Sequence, residues 1–146
     1  MDVPITLQSM VILVLPLMMN RHLALGGLIL FLIGAFVGMP VLSGGSGGPE
    51  HFYGKSGGYL IGFVVVLFLS GYIGAFIKSK LLLSYFMLFI VMHLTLITLG
   101  TTWIYALGNS VAIQTHVLPY LPGAILKSGI GAILVWTYNT ITSRAE

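Results

Sequence analysis

The sequence predicts an all-α fold, a polytopic transmembrane helix bundle in a single domain of residues 1–146, from three observations. Hydrophobic residues make up 58% and charged residues only 6% of the 146 residues, whereas soluble domains carry about 25% charged residues. The mean hydropathy is +1.06. Five long apolar stretches recur along the chain and are separated by short polar or charged segments. The chain is therefore expected to lie in a lipid bilayer.

The apolar stretches define five predicted spans. They cover residues 5–19, 23–42, 57–77, 81–108 and 119–140. A span needs about 20 residues, so the first is short, and Pro16 is expected to kink or end it. The fourth is longer than the hydrocarbon layer requires, and we expect it to tilt, to break near Gly100 or to project from the membrane.

Small residues in the second and third spans predict close helix packing. Glycines recur there at intervals of about four residues, a spacing that lets two helices approach each other closely. These glycines are Gly26, Gly27, Gly34 and Gly38 in the second span and Gly58, Gly62, Gly71 and Gly74 in the third. The fifth span follows Pro119 and Pro122, and proline is tolerated in the first turn of a helix.

A glycine-rich segment, residues 38–63, joins the second and third spans. It also contains Pro40, Pro49 and the aromatic residues Phe52, Tyr53 and Tyr59, which a purely flexible linker does not require. We interpret the segment, called here the glycine loop, as a folded lid or floor for a small ligand. An ordinary interhelical loop is the alternative.

The positive charges predict which side of the membrane each loop faces. Because successive loops of a five-span chain alternate between the two sides of the membrane, one side carries Arg21, Lys78, Lys80 and Arg144. The other side carries Lys55 and the glycine loop. Because cytoplasmic loops carry an excess of Lys and Arg, the first side and the C-terminus are predicted to be cytoplasmic. The glycine loop and the start of the fifth span then share the outer face.

Lys127 is the sharpest candidate for ligand binding, since it is the only charge in the fifth apolar segment. A charge inside a span costs about 2.5–3.5 kcal/mol by insertion scales and usually faces protein or water. The helix N-terminus behind Pro122 adds a positive dipole end, and together they favour a carboxylate ligand. The alternative is a side chain that extends back to the interface.

Four other side chains are weaker candidates for binding a ligand. Gln8 is polar near the start of the first span, where interfacial placement is equally expected. Ser46 can donate and accept a hydrogen bond, although a serine between glycines is most often an ordinary loop residue. Tyr59 and Trp103 are aromatic residues that either line a pocket or anchor the chain at the interface.

The sequence gives no support for an enzyme or a cofactor. It has no cysteine, no nucleophile–base pair, no P-loop and no paired carboxylates. His93 is expected to be buried, neutral and hydrogen-bonded, because no acidic residue lies in a span to form a proton relay with it. No pattern of carboxylates accompanies His51 and His116, so no metal site is predicted. The scattered cations do not predict nucleic-acid binding.

Four motifs in order resemble the BioY family, the biotin-binding substrate subunits of energy-coupling-factor vitamin transporters. They are PITLQ at 4–8, GMPV at 38–41 followed by GGSGG at 44–48, GKSGGYL at 54–60, and LPG at 121–123 with Lys127. The resemblance implies a six-helix bundle in the bacterial cytoplasmic membrane that binds biotin, or a related small carboxylate, near its outer face. It also implies a transmembrane coupling subunit and two ATPase subunits as partners, although some members are thought to work without them.

By the same resemblance, Ser46, Leu60 and Lys127 occupy ligand-facing positions. Ala124 stands where the family usually has an aspartate, which puts the hydrogen bonds to a ureido ring in doubt and removes a counter-ion from Lys127. The chain is also expected to lack the family's first helix. The rival hypotheses are a decayed or non-transporting membrane protein and a solitary secondary carrier of a small carboxylate.

Overall fold

The computed structural model describes residues 7–77, 81–110 and 117–143. Within these ranges the chain forms six α-helices and no β-strand beyond one isolated bridge between Leu42 and Ser46. The helices are α1 Gln8–Met18, α2 Arg21–Phe36, α3 Glu50–Tyr53, α4 Gly57–Phe76, α5 Leu82–Ala106 and α6 Leu121–Thr142, the last preceded by a 3-10 turn at Leu118–Tyr120. The predicted all-α fold is confirmed.

Three helices are long and apolar enough to cross a membrane. They are α4 with 20 residues, α5 with 25, and α6 with its preceding turn, also 25. Their ends lie within two residues of the third, fourth and fifth predicted spans. The helices α1 and α2 are apolar but have 11 and 16 residues, fewer than the usual span. The count of five spans therefore stays a prediction.

The short helix α1 lies at the centre of the bundle, in contact with α2, α4, α5 and α6. Its residues Ile12, Leu13 and Val14 are consecutive and all buried, a pattern found when a helix is covered on every side. Leu13 belongs to the same core as Phe89 of α5 and Val135 of α6, and all three are fully buried. The longer helices thus pack around α1.

The close packing predicted for the third span is confirmed in α4. A Cβ atom at Gly62 would collide with Leu96 of α5, and one at Gly74 would collide with Leu17 of α1. Glycine at these positions leaves room between the helices for the ends of the Leu96 and Leu17 side chains.

The same prediction is wrong for the glycine pair in α2. No described atom outside the local helix lies within 4 Å of a Cβ placed at Gly26 or Gly27. The helix packs instead through Ala24, Leu28 and Ala35, which are buried against the core. Of the other two predicted glycines, Gly34 is buried next to the Met39 side chain, and Gly38 lies beyond the end of α2.

Local sequence signals explain where the first two helices end. After Pro16, α1 continues only to Met18, and Met19 has an extended backbone, as predicted. The helix α2 begins at Arg21, where the Asn20 side chain accepts a hydrogen bond from the His22 N–H at 2.9 Å. It ends at Phe36, well before the predicted end of the second span at 42, because Gly38 adopts φ +94° and Pro40 follows.

The helix α5 runs without a break from Leu82 to Ala106. The expected alternative of a break near Gly100 is wrong. Thr101 donates a hydrogen bond to the Ile97 carbonyl at 2.8 Å, so its hydroxyl is satisfied within the helix.

The glycine loop is folded, as predicted. The Leu42 N–H donates to the Ser46 carbonyl at 2.9 Å, and the Gly48 N–H donates to the Ala35 carbonyl of α2 at 2.7 Å. Gly44 and Gly45 both have positive φ, which the tight reversal between Leu42 and Ser46 requires. The loop is therefore attached to the bundle rather than extending from it.

Candidate functional site, a cavity beneath the glycine loop

A cavity of about 510 Å³ lies between the glycine loop, the first turns of α1, α4 and α6, and the C-terminal half of α5. Its volume falls within the range of about 300–1,000 Å³ that is usual for small-molecule sites. Five of the six candidate residues from the sequence line it, namely Gln8, Ser46, Tyr59, Leu60 and Lys127. Residues from distant parts of the chain thus meet at one end of the bundle.

Trp103, the sixth candidate, lies outside the cavity lining. A Cβ atom at Gly58 would overlap the Trp103 side chain, so the tryptophan packs directly on the first turn of α4. Its Nε1–H donates to the Gly54 carbonyl at 3.0 Å. Trp103 therefore attaches the end of the glycine loop to α5 and supports the site from behind.

Lys127 is half-buried in the second turn of α6. Its Nζ donates a hydrogen bond to Ser9 Oγ of α1 at 3.0 Å, so the ammonium group is directed across the bundle and does not extend back to the interface. Glu50, the one acidic residue in the described ranges, forms no ion pair with it. The Lys127 side chain therefore brings to the cavity a positive charge that no acidic residue within 7–77, 81–110 and 117–143 neutralises.

Ser9, which accepts from this cation, also lies beside His93, and both residues line the cavity. His93 is 4% exposed; its Nε2 lies 3.4 Å from Ser9 Oγ, and its Nδ1 lies 2.9 Å from the Phe89 carbonyl and 3.1 Å from Ser128 Oγ. The prediction of a buried and hydrogen-bonded histidine is confirmed. Its place in the cavity wall, together with Ser9, was missed by the sequence reasoning.

Two buried polar atoms in the cavity wall have no hydrogen-bond partner among the described residues. They are Ser43 Oγ and the Tyr59 hydroxyl oxygen. Leaving such a group unpaired costs about 1–3 kcal/mol, and native structures rarely do so without a reason. The Tyr59 ring lies beside that of Tyr120, with centroids 6.0 Å apart. Ser43 and Tyr59 both line the cavity, but these two oxygen atoms are covered by protein, so a ligand would reach them only after the side chains move.

Gln8 and Ser46 hold the glycine loop in place above this cavity. The Gln8 Nε2 donates to the Val41 carbonyl, and Ser46 Oγ donates to the Ser43 carbonyl at 2.9 Å. These bonds connect α1 to the loop and stabilise the turn within the loop. Both side chains thus have structural partners while also facing the cavity.

Much of the remaining wall of the cavity is apolar, although His51, Lys55 and Ser56 also line it. Leu60 and Phe63 of α4 and Leu96 of α5 are buried and line it. Ala124 lies one helical turn before Lys127 on the same side of α6 and also lines the cavity. A methyl group there supplies no hydrogen-bond acceptor, so this part of the site combines apolar surface with Lys127, while Lys55 brings a second cation to the lining.

Comparison with known proteins gives consistent matches over most of the chain. The family model described as the BioY family matches residues 1–144. The "Biotin transporter BioY2" of Lactococcus lactis subsp. cremoris is 30% identical over 98% of this chain and 78% of its own length. The "Probable biotin transporter BioY" of Pyrococcus horikoshii is 29% identical over 90% of this chain and 78% of its own length. A protein of the same name in Bacillus subtilis is 30% identical over 90% of this chain and 73% of its own length. No solved structure gives a significant match.

Proposed function

The chain belongs to the BioY family, and on that basis we propose that it binds biotin as the substrate subunit of a membrane uptake system. The observation that carries the proposal is the convergence of five candidate residues on one cavity whose wall contains two unpaired polar atoms. The relatives carry names that describe them as biotin transporters, which supports the choice of ligand.

The chemistry of biotin suits the composition of this cavity. Biotin consists of an apolar sulfur-containing ring fused to a cyclic ureido group, with an apolar tail that ends in a carboxylate. The ureido group has one carbonyl acceptor and two N–H donors. Leu60, Phe63 and Leu96 supply apolar surface for the rings, and Lys127 donates to an oxygen of the polar or ionised end. The Tyr59 hydroxyl and Ser43 Oγ pair with further polar atoms of the ligand, which offsets the cost of burying them.

The glycine loop acts as the lid in this proposal. Its hydrogen bonds to α1 and α2 hold it over the cavity, and the positive φ angles at Gly38 and Gly48 mark backbone bends on either side of its turn between Leu42 and Ser46. Movement at these glycines would admit the ligand and then enclose it.

The proposal places the protein in the bacterial cell membrane, with the cavity outside and the C-terminus in the cytoplasm. The excess of cations beside the opposite helix ends supports this orientation, although Lys78, Lys80 and Arg144 lie outside the described residues. Since the sequence contains no P-loop, ATP hydrolysis would come from two ATPase subunits acting through a transmembrane coupling subunit.

Uptake of labelled biotin by cells that lack their own importer tests this function. Cells expressing the chain should accumulate label in a saturable manner that unlabelled biotin inhibits, and cells with the empty vector should not. Uptake that follows the proton gradient and disappears in His93→Ala would favour the solitary carrier instead. No uptake, together with no biotin binding by the purified protein, would overturn the proposal.

A further inference from the structure

A chain of hydrogen bonds runs across the floor of the cavity from α6 through α1 into α5. It begins at Lys127 Nζ, passes 3.0 Å to Ser9 Oγ, and continues 3.4 Å to His93 Nε2. His93 Nδ1 ends the chain at the Phe89 carbonyl, 2.9 Å away. The three helices contribute one ionisable or hydroxyl side chain each.

The chemistry of the groups fixes the direction of each bond. A carbonyl oxygen only accepts, so His93 Nδ1 carries a proton and donates it to Phe89. An ammonium group only donates, so Ser9 Oγ accepts from Lys127. A second positive charge on His93, one serine away from Lys127, would be repelled in this half-buried setting. The imidazole is therefore neutral, and its Nε2 accepts the hydrogen of the Ser9 hydroxyl.

Given this order, we infer that Ser9 is a positioning residue for ligand recognition, because it fixes the Lys127 ammonium at the cavity floor. Ser9 uses its hydroxyl hydrogen on His93 and a lone pair on Lys127, which leaves two of the three ammonium N–H groups free for the ligand. The inference rests on the proposed function, and it adds a residue that the sequence motifs did not indicate.

Without Ser9, Lys127 loses its one described hydrogen-bond partner. Its flexible side chain would then be free to extend toward the outer interface, where an ammonium group is better solvated. Binding a ligand would require the side chain to return and become ordered, which lowers the affinity. Ser9 avoids this loss by holding the cation in place beforehand.

Equilibrium binding of labelled biotin to the purified protein tests the inference through a double-mutant cycle. Ser9→Ala should weaken binding about fivefold to tenfold in the unsubstituted background and by less than about twofold in the Lys127→Met background. Ser9→Thr, which keeps the hydroxyl, should restore affinity. Ser70→Ala is the matched control, since Ser70 is a fully buried helical serine that donates to the Leu67 carbonyl and lies outside the cavity lining.

Each outcome of this double-mutant cycle either supports or overturns the positioning role of Ser9. Equal losses from Ser9→Ala in both backgrounds, or no loss in either, would overturn the positioning role while leaving biotin binding intact. Absence of binding by the unsubstituted protein would overturn the proposed function and this inference with it. If Ser9→Ala does not fold, Ser9→Cys keeps the side-chain volume and weakens both hydrogen bonds, and the same comparison is made with that variant.

Discussion

Lys127 and Ser9 lie 118 positions apart in the sequence, yet Lys127 Nζ donates to Ser9 Oγ across 3.0 Å. The bond joins the second turn of α6 to the first turn of α1, directly beneath the glycine loop. It brings the only charge of the last apolar segment into the wall of a cavity of about 510 Å³. The position of this cation is the basis of the proposed recognition of biotin.

The unpaired hydroxyl of Tyr59 predicts an unusual pair of effects for Tyr59→Phe. Removing a buried oxygen without a partner should leave the free energy of unfolding unchanged or raise it by about 1 kcal/mol. Biotin affinity should fall about fivefold to tenfold, because the ligand loses a hydrogen bond. Chemical denaturation and equilibrium binding in detergent measure the two quantities.

Tyr85→Phe is the matched control for that variant. The Tyr85 hydroxyl accepts a hydrogen bond from Asn139 Nδ2 at 2.8 Å, and the residue lies outside the lining of the cavity that holds Tyr59. It should lose about 1 kcal/mol of stability and keep its affinity. If Tyr59→Phe behaved in the same way, its hydroxyl would not be a ligand contact.

Ala124→Asp is predicted to strengthen biotin binding by about tenfold. A carboxylate at 124 would face the cavity one turn before Lys127, accept an N–H of the ureido group, and pair with the ammonium. Binding measured alongside Ala124→Asn separates the effect of charge from that of shape, and the neutral amide should gain less. No gain from the aspartate, together with a harmless Lys127→Ala, would remove both positions from the site.

The sequence predicts much of this arrangement because its strongest signals are local. Apolar length predicts α4, α5 and α6, and glycines with prolines and aromatic residues predict a folded loop. A lysine in an apolar helix is conspicuous wherever it occurs, so Lys127 is found without a structure.

What the sequence does not predict depends on which helix faces meet. A serine such as Ser9 in an apolar helix gives little signal, and only the fold brings it to Lys127. The glycine pair in α2 has the spacing of a packing face, yet no neighbouring helix covers it. The aromatic side chain of Trp103 led us to expect it in the pocket wall. Its ring lies instead against Gly58, behind the cavity.

The contact between Gly58 and Trp103 predicts that Gly58→Ala destabilises the protein. An added methyl group would overlap the Trp103 side chain and the Leu99 carbonyl, and overpacking of this kind costs about 1–3 kcal/mol. Gly27→Ala is the control, because its Cβ meets no described atom outside the local helix and alanine favours the helix. Thermal unfolding in detergent should lower the Tm of the first variant only, and equal Tm values would contradict the packing.

Trp103→Phe should act on the loop rather than on the ligand directly. The variant loses the Nε1–H bond to Gly54, worth about 0.5–1.5 kcal/mol, so the loop should open more readily. We expect biotin to dissociate about threefold to tenfold faster, with an unchanged association rate, in a chase with unlabelled biotin. Trp136→Phe is the control, because Trp136 lies in the C-terminal half of α6, away from the cavity. Its biotin dissociation rate should match that of the unsubstituted protein. A slower association rate with unchanged dissociation would contradict this role.

The most direct test of the account is equilibrium binding of labelled biotin to the purified protein and to its Lys127→Met variant. Methionine keeps most of the apolar length of lysine and removes the Lys127 charge, while Lys55, the other lysine of the lining, is kept. The account predicts saturable binding at one site per chain that weakens about tenfold to a hundredfold in the variant. Equal affinity in the two proteins would contradict it.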